Sequence, residues 1–430
     1  MGRISVSSKT IGRMKKLHGV GQPPFAGLDF SMFHYLTDAG IPYSRLHDVG
    51  GIYGGGRFVD IPNLFRDFSA DPDDPASYDF TFTDILIKAI IDSGVEPFFR
   101  LGVTIENDAR IKSYRINPPA DPLKWAKICE GVIRHYTEGF ADGYHYDIKY
   151  WEIWNEPDSH PDINLSEMWK GTKEQYYELY GIASRYLKDK FPDLKIGGYA
   201  SCGVYAAFRE NPDERAAYFL DFMNGFLSYV RDNNCPLDFF SWHTYSDAVM
   251  LLKHAEYVRA KLDEYGFSDV ESILNEWNPD VHTRGSAHHA AQIAASMIGM
   301  QDSSVSSAMF YDARFGVSIY GGMFNPYDRS PFPAYSSFVA FNELYRRGNE
   351  LETSVDDGKL FVCAAATDDG SECAVVIVNI SGEETPLEIA VSDNMAVKSC
   401  RIITDGSTWS EIPLPEKLGN DTVLCVVYGK

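Results

Sequence analysis

Two glutamates stand where a strand-like, apolar run of the chain gives way to a loop. Glu156 ends the run in KYWEIWNEPD, and Glu276 ends the run in ESILNEWNP. Each follows an asparagine, Asn155 or Asn275, and each has tryptophan close by. Two carboxylates that face one substrate can divide the work of glycosidic bond cleavage. One gives a proton to the leaving oxygen, and the other acts on the opposite side of the anomeric carbon.

A single glutamate at the end of a strand is most often a solvated loop residue or a helix cap. Two glutamates in the same setting, each between asparagine and an aromatic neighbour, favour a functional pair. The spacing along the chain gives no distance in space. It therefore leaves open the short separation of about 5–5.5 Å found in retaining enzymes and the longer one, about 6.5–9.5 Å, found in inverting enzymes.

The elements that must position this pair alternate regularly between residues 17 and 312. Short runs rich in Val, Ile, Phe and Tyr alternate with longer helical patterns, which is typical of βα units around a parallel sheet. Eight runs are predicted as strands: Lys16–Gly19, Tyr43–His47, Pro97–Gly102, Lys149–Trp154, Lys195–Gly198, Asp238–His243, Ser272–Asn275 and Ala308–Asp312. The sequence therefore predicts an α/β fold, a (β/α)8 TIM barrel, with Glu156 and Glu276 after its fourth and seventh strands, where barrel enzymes build their sites.

Helices are predicted between these strands from apolar residues at helical spacing. They are Thr83–Ser93, Pro122–Tyr136 with Asp121 as N-cap, Lys173–Lys190, Ala216–Asn233, Val249–Tyr265, His288–Gly299 and Ala334–Arg347. After Gly348 the pattern changes to short strand-like runs between turns, such as CAVVIVNI and VLCVVYG. We expect a catalytic barrel over residues 9–348 and a small antiparallel β-sandwich over 349–430, to which residues 1–8 could add a strand.

The order of elements and the motif Trp154-Asn155-Glu156-Pro157 resemble the retaining (β/α)8 glycosidases that carry catalytic glutamates on strands four and seven. Within that clan the chain is most similar to glycoside hydrolase family 39, which includes β-xylosidases and α-L-iduronidases. The resemblance implies that Glu156 is the acid/base and Glu276 the nucleophile. It also implies that Asn155 bonds the sugar 2-hydroxyl, and that the reaction retains the anomeric configuration.

The resemblance also points to residues around the pair. It implies that Arg45 lies near the nucleophile and that His243 and Tyr245 lie beside it. His47 and Trp277 are further candidates for substrate binding, with Asp48, His18, Asp312 and Arg314 as weaker ones. Each has a structural alternative: an ion pair that lines the barrel for Arg45, a core histidine for His243, packing for Tyr245, and a barrel plug for Trp277. Family members usually read W-N-E-P-N, whereas Asp158 follows Pro157 here, and this departure leaves the choice of sugar open.

Composition limits the partners. The net charge of -22 and the pI of about 4.9 argue against nucleic acid and against an anionic membrane surface. The seven cysteines form no C-x-x-C pair, and the first residues lack the apolar stretch of a signal peptide, so we expect free thiols and a cytoplasmic location.

The glycine-rich stretch HDVGGIYGGGRF fits a loop over the site better than a phosphate cradle. We predict no cofactor and no metal requirement, and the oligomeric state is left open.

The leading hypothesis is an exo-acting, retaining glycosidase that takes a β-xyloside or a related plant-type glycoside. Two alternatives stay open. The same residues could transfer the sugar to another acceptor instead of water, or the barrel could bind carbohydrate without turning it over. The presence of both glutamates disfavours the second alternative.

Overall fold

The computed structural model describes residues 2–24, 31–47, 59–103, 116–315, 320–356, 358, 360–391 and 395–430. The chain opens with a long strand, β1 (Gly2–Arg13), and eight parallel strands then close into a barrel in chain order. The barrel strands are β2 (Lys16–Gly21), β3 (Tyr43–Leu46), β4 (Glu96–Leu101), β5 (Tyr150–Ile153), β6 (Lys195–Ser201), β7 (Phe239–Thr244), β8 (Glu271–Trp277) and β9 (Val305–Phe310). The predicted TIM barrel is confirmed.

Helices follow the barrel strands. They are α1 (His34–Asp38), α2 (Ile61–Leu64), α3 (Thr81–Asp92), α4 (Pro122–Thr137), α5 (Lys173–Lys190), α6 (Glu214–Asp232), α7 (Ala248–Glu264), α8 (Ala287–Gln301) and α9 (Pro333–Tyr345). Caps fix several starts: the predicted N-cap Asp121 accepts from Lys124 N at 2.9 Å, and Thr172 forms a capping box with Gln175. None of the helices in the described ranges is long and apolar enough to cross a bilayer.

The barrel interior is built in two layers. The lower layer is an apolar cluster that plugs the barrel: Tyr43, Phe98, Phe239, Ile273 and Met309. Because successive side chains of a strand point to opposite faces, the residue two positions further along points inward as well. In four of these strands that residue is polar, namely Arg45, Arg100, Ser241 and Asn275. The sequence alternation thus places a polar layer on the apolar plug, just below the catalytic end of the barrel.

A separate nine-stranded sheet packs beside the barrel. It combines β1 with β10 (Asn349–Val355), β11 (Leu360–Ala366), β12 (Glu372–Asn379), β13 (Thr385–Val391), β14 (Ala396–Thr404), β15 (Ser407–Glu411), β16 (Lys417–Leu418) and β17 (Thr422–Gly429). All its pairings are antiparallel except β1 with β13. β1 continues to Arg13, beyond the expected boundary at residue 9, and joins β10 to β13.

The two faces of β12 show how this sheet is held. Ala374, Val376 and Val378 belong to the large core shared with the barrel helices, whereas Val375 and Ile377 belong to a second core within the C-terminal sheet. Both faces are therefore buried, which fits a sheet that curls over itself while its outer face packs on α8 and α9.

Candidate active site

The two glutamates predicted from sequence meet at the catalytic end of the barrel. One carboxylate oxygen from each, together with a ring nitrogen of His243, lies within 4.8 Å of the others. His243 Nδ1 is 2.7 Å from Glu156 Oε1 and 3.5 Å from Glu276 Oε2. Glu276 is 5% exposed, and the Glu156 side chain is 15% exposed, so Glu156 is the more open of the two. His243 thus sits between the two carboxylates.

Arg45 holds Glu276 from below. Its Nη1 donates to Glu276 Oε1 at 2.7 Å, and its guanidinium is fully buried. The same group donates through both Nε and Nη2 to Glu152 Oε2, at 2.9 and 2.7 Å. Arg45 therefore forms an ion pair with Glu152 inside the barrel and also places its positive charge beside Glu276, the candidate nucleophile.

Glu152 is the residue that sequence reasoning missed. It is fully buried inside the barrel, where Oε1 accepts from Ser241 Oγ and Asn275 Nδ2, both at 2.5 Å. A carboxylate in the middle of an apolar strand was the signal available, because a buried charge needs a partner. Its partners lie on other strands, far away in the sequence, and could not be paired with it by spacing.

Asn155 connects the same network to the second strand of the barrel. Its Oδ1 accepts from Arg45 Nη2 at 2.5 Å, and its Nδ2 lies 3.2 Å from His47 Nε2. His47 is held in turn through its backbone carbonyl, which accepts from Arg100 Nη2 at 2.8 Å. The structure thus brings Asn155 and His47 to the two candidate glutamates.

Tyr245 completes the group around Glu276. Its hydroxyl donates to Glu276 Oε2 at 2.9 Å, so the two oxygens of this carboxylate are held by different donors, Arg45 and Tyr245. Such fixed donors orient a carboxylate and favour its ionised form. The loop after β7 that carries Tyr245 leaves 38% of the residue exposed, in contrast to the buried guanidinium of Arg45.

Comparison with known proteins identifies the family to which this chain belongs. The sequence profile of "Glycosyl hydrolases family 39" matches residues 47–397. The chain belongs to glycosyl hydrolase family 39. It is accordingly a glycosidase.

Relatives of the family 39 chain match most of its length, and a solved structure shares its fold. It is 25% identical over 410 residues to a β-xylosidase of Geobacillus stearothermophilus, covering 83% of this chain and 75% of that one. It is 24% identical over 398 residues to a β-xylosidase of Caldicellulosiruptor saccharolyticus, with coverage of 84% and 72%. A glucosidase structure from Croceicoccus marinus superposes with a TM-score of 0.82 at 23% identity, over 100% of this chain and 99% of that one. At this identity the last comparison shows the shared fold.

Burial sets the charge state of the family 39 site. Burial lowers the pKa of His243 to about 4, with Glu276 opposing the change, and it lowers the pKa of His47 well below its usual value, aided by Arg100 and Arg45. Both imidazoles are therefore neutral near pH 7. Burial raises the pKa of Glu276, while the positive charge of Arg45 and the hydrogen bond from Tyr245 oppose the rise. The fixed positive charge at the centre of the site is thus the Arg45 guanidinium.

The loop that carries Glu156 is held in an unusual conformation. Trp154 and Glu156 both have positive φ, at 73° and 45°, which non-glycine residues seldom adopt. Such strain persists only where the surroundings enforce it. Here the Glu156 amide donates to Ala200 O at 3.2 Å, and the buried Asp158 carboxylate accepts from Cys202 N at 3.1 Å. The loop after β5 is therefore tied to the end of β6.

Trp277 does not contribute surface to the site. The β8 strand is irregular where it pairs with β9, with a register shift between Leu274 and Trp277. A bulge of this kind lets two consecutive residues face the same side, here Asn275 and Glu276, and turns the next one away. The Trp277 indole is fully buried against Phe310 in the main core, so the structure corrects its expected role as a sugar platform to packing.

The weaker candidates have different outcomes. His18 points away from the site, because its Nε2 bonds Gly40 O at 2.9 Å and its ring packs on Phe341 and Tyr345. Asp312 is fully buried at the end of β9 and lies 3.8 Å from Arg314. Asp48 and most of the glycine-rich loop fall outside the described residues.

The cluster of Glu156, His243 and Glu276 offers the ligand types and spacing that could hold a metal ion. The same three groups are the candidate acid, its neighbour and the candidate nucleophile. Arg45 already supplies a cation to Glu276 at 2.7 Å. The arrangement therefore suits acid/base and nucleophilic chemistry without an added ion.

Proposed function

We propose that this glycosidase is a retaining β-xylosidase that works by double displacement. The separation of its two carboxylates carries the proposal, because one oxygen of Glu156 and one of Glu276 lie within 4.8 Å. Retaining enzymes keep their carboxyl groups about 5–5.5 Å apart, whereas inverting enzymes need about 6.5–9.5 Å to fit a water molecule. The short separation supports direct attack by a carboxylate.

In the first step Glu276 attacks the anomeric carbon, and Glu156 protonates the leaving oxygen. Arg45 and Tyr245 hold the two oxygens of Glu276, which favours the ionised nucleophile despite its burial. A covalent glycosyl-enzyme forms, and the bond from the sugar to the leaving group breaks. Asn155, held by Arg45, is positioned to bond the sugar 2-hydroxyl.

In the second step the Glu156 carboxylate removes a proton from water, which attacks the anomeric carbon and releases Glu276. Glu156 must therefore alternate between protonated and ionised forms. The neutral His243 suits this role, since its Nδ1 can accept from the protonated acid or donate to the carboxylate at 2.7 Å, according to its tautomer. We assign His243 to support Glu156 in both states.

The xyloside assignment rests on the relatives. Two curated proteins named β-xylosidase match more than four-fifths of this chain, and we extend their named activity to it. Exo action is part of the same proposal.

The seven cysteines are all free and six are buried, which supports a reducing compartment such as the cytoplasm.

The anomeric configuration of the first-formed product tests the mechanism. Proton NMR of p-nitrophenyl β-xyloside hydrolysis should show β-xylose appearing first, followed by slow mutarotation. Initial release of α-xylose would overturn double displacement, and absence of any hydrolysis would overturn the xyloside assignment. Added alcohol acceptors distinguish a transglycosylase, which would form mainly alkyl xyloside in place of free xylose.

A further inference from the structure

A cleft of about 670 Å³ lies next to Tyr245, outside the group that surrounds Glu276. It is bounded by the loops after β7 and β8 and by the turn that follows β12 of the C-terminal sheet. Its lining includes Tyr245, Val249, Pro279 and Ile380. Ligand sites of proteins commonly enclose about 300–1,000 Å³, so the cleft has the size of a binding site.

We propose that this cleft is a second sugar subsite, built by both domains, which binds a further neutral sugar unit of an oligosaccharide substrate. The inference rests on the proposed glycosidase function and adds to it the kind of substrate. It implies that xylo-oligosaccharides bind better than a single xylosyl unit. It also implies that the C-terminal sheet contributes to substrate choice.

Tyr245 connects the cleft to the chemistry. Its hydroxyl lies 2.9 Å from Glu276 Oε2, while the residue also lines the cleft and is 38% exposed. One side chain therefore borders both the candidate nucleophile and the cleft. A sugar unit in the cleft would be adjacent to the unit that is held over Glu276.

The cleft offers the apolar surface that the carbon face of a sugar ring packs on. Val249 is 52% exposed at the start of α7, so its methyl groups are open to contact from a ligand in the cleft. Met250, Pro279 and Ile380 extend the same surface. Burial of these atoms against a ring contributes about 25 cal/mol for each Å² removed from water.

Two carboxylates at the cleft provide negatively charged hydrogen-bond acceptors. Asp247 and Asp280 each use Oδ1 to accept a backbone N–H, from Met250 and His282, both at 2.9 Å. These caps hold both side chains in place and leave the second oxygen of each to accept from a hydroxyl. Fixed acceptors favour hydroxyl groups, and their charge disfavours a uronic acid. The cleft is therefore suited to a neutral sugar.

The C-terminal sheet is held at this position by direct contacts with the barrel. His288, which also lines the cleft, places Nδ1 2.8 Å from Asp421 Oδ1, and Ala287 N donates to Asp405 Oδ1 at 2.8 Å. Both contacts lie at the first turn of α8, next to the loop after β8. Ile380 is thereby fixed as one wall of the cleft.

The test uses Val249→Arg and Ile380→Arg in the full chain, because an added guanidinium can reach the rim carboxylates and fill the cleft. Ile85→Arg, at a position 55% exposed on α3, is the matched control. Two substrates are compared: β-xylosyl fluoride, whose leaving group occupies no sugar subsite, and xylotriose. We expect the ratio of kcat/KM on xylotriose to kcat/KM on the fluoride to fall at least tenfold in both cleft variants and to stay constant in Ile85→Arg.

Other outcomes have separate meanings. A constant ratio in the cleft variants, whether or not both rates fall together, would overturn the second subsite. If the unmodified enzyme fails to hydrolyse the fluoride, the xylosidase proposal falls instead. The cleft is then judged by calorimetric titration of xylotriose into unmodified and Val249→Arg protein. At least tenfold weaker binding in the variant supports it, and equal or absent binding in both rejects it.

Discussion

Arg45 donates twice to a single oxygen of Glu152, through Nε at 2.9 Å and through Nη2 at 2.7 Å, deep inside the barrel. This leaves Nη1 to point at Glu276, 2.7 Å away. The orientation of the cation on the candidate nucleophile is therefore set by a carboxylate that never needs to touch substrate. Pre-organisation of this kind lets a site act without rearranging its dipoles during the reaction.

Glu152→Gln tests this support. The change removes one of the two buried carboxylates that pair with Arg45, and it places an amide N–H₂ against either the Arg45 guanidinium or the donors Ser241 and Asn275. Breaking a buried pair by removing one partner typically costs about 3–5 kcal/mol. We expect a clear drop in the thermal unfolding midpoint together with reduced kcat. The matched control is Glu130→Gln, which alters a partly buried carboxylate of α4 outside the site. An equally large drop there would show that the effect is not specific.

Glu276→Ala removes the proposed nucleophile. Turnover of p-nitrophenyl β-xyloside should fall on the order of 10⁴-fold or more, because no carboxylate remains to form the covalent intermediate. Circular dichroism should show an intact fold, since the variant deletes a side chain rather than a backbone contact. Wild-type activity in a folded variant would refute the assignment.

Glu156→Ala separates proton donation from nucleophilic attack. General acid catalysis contributes about 10²–10⁴-fold, and a good leaving group hardly needs it. We expect a steep loss on methyl β-xyloside and a much smaller loss of the glycosylation rate on 2,4-dinitrophenyl β-xyloside. Azide should restore turnover of the latter and give β-xylosyl azide. Equal losses on both substrates would count against Glu156 as the acid.

We expect Asp158→Asn to change the stability of the protein in a pH-dependent way. Burial raises the pKa of Asp158 from its usual 3.8 to about 7, with Glu156 adding to the rise and the Cys202 amide opposing it. Between these two values the folded state binds more protons than the unfolded state, so this carboxyl makes the protein less stable as pH rises from about 4 to about 7. The neutral amide escapes this penalty.

The unfolding midpoints of wild type and Asp158→Asn should therefore be close at pH 4 and diverge as pH rises. The free energy of unfolding of Asp158→Asn should exceed that of the wild type by a few kcal/mol, and this difference should level off above about pH 7. Asp189→Asn, at an exposed site on the surface of α5, serves as the control and should show no such divergence. A constant difference across the pH range would mean that Asp158 does not titrate in this window.

The sequence predicted the barrel because each of its strands is a short apolar run with a polar or glycine-rich end. All eight predicted strands overlap observed ones, and α5 begins and ends at the predicted residues. The short helices α1 and α2 were not predicted, since four or five residues give no helical period. β10 and β15 were missed because their mostly polar residues form no apolar run.

Within the site, the sequence identified Glu156 and Glu276 as candidates because their neighbours form readable motifs. It could not reveal Glu152, whose partners Arg45 and Asn275 lie on other strands of the barrel. It also left Trp277 open between substrate binding and packing, because the sequence gives no sign of the irregular pairing in β8. Motifs report local chemistry, whereas contacts between strands depend on closure of the barrel.

The position of β1 has a consequence for how the chain is made. Residues 2–13 are synthesised before the barrel strands, whereas their partners β10 and β13 are synthesised after them. The sheet therefore cannot close around β1 until the whole barrel segment has been made, and these contacts of long sequence separation form late. A truncation that removes the first strand would also split the sheet between β10 and β13. Two segments that lie on opposite sides of the barrel in the sequence thus form one unit of folding.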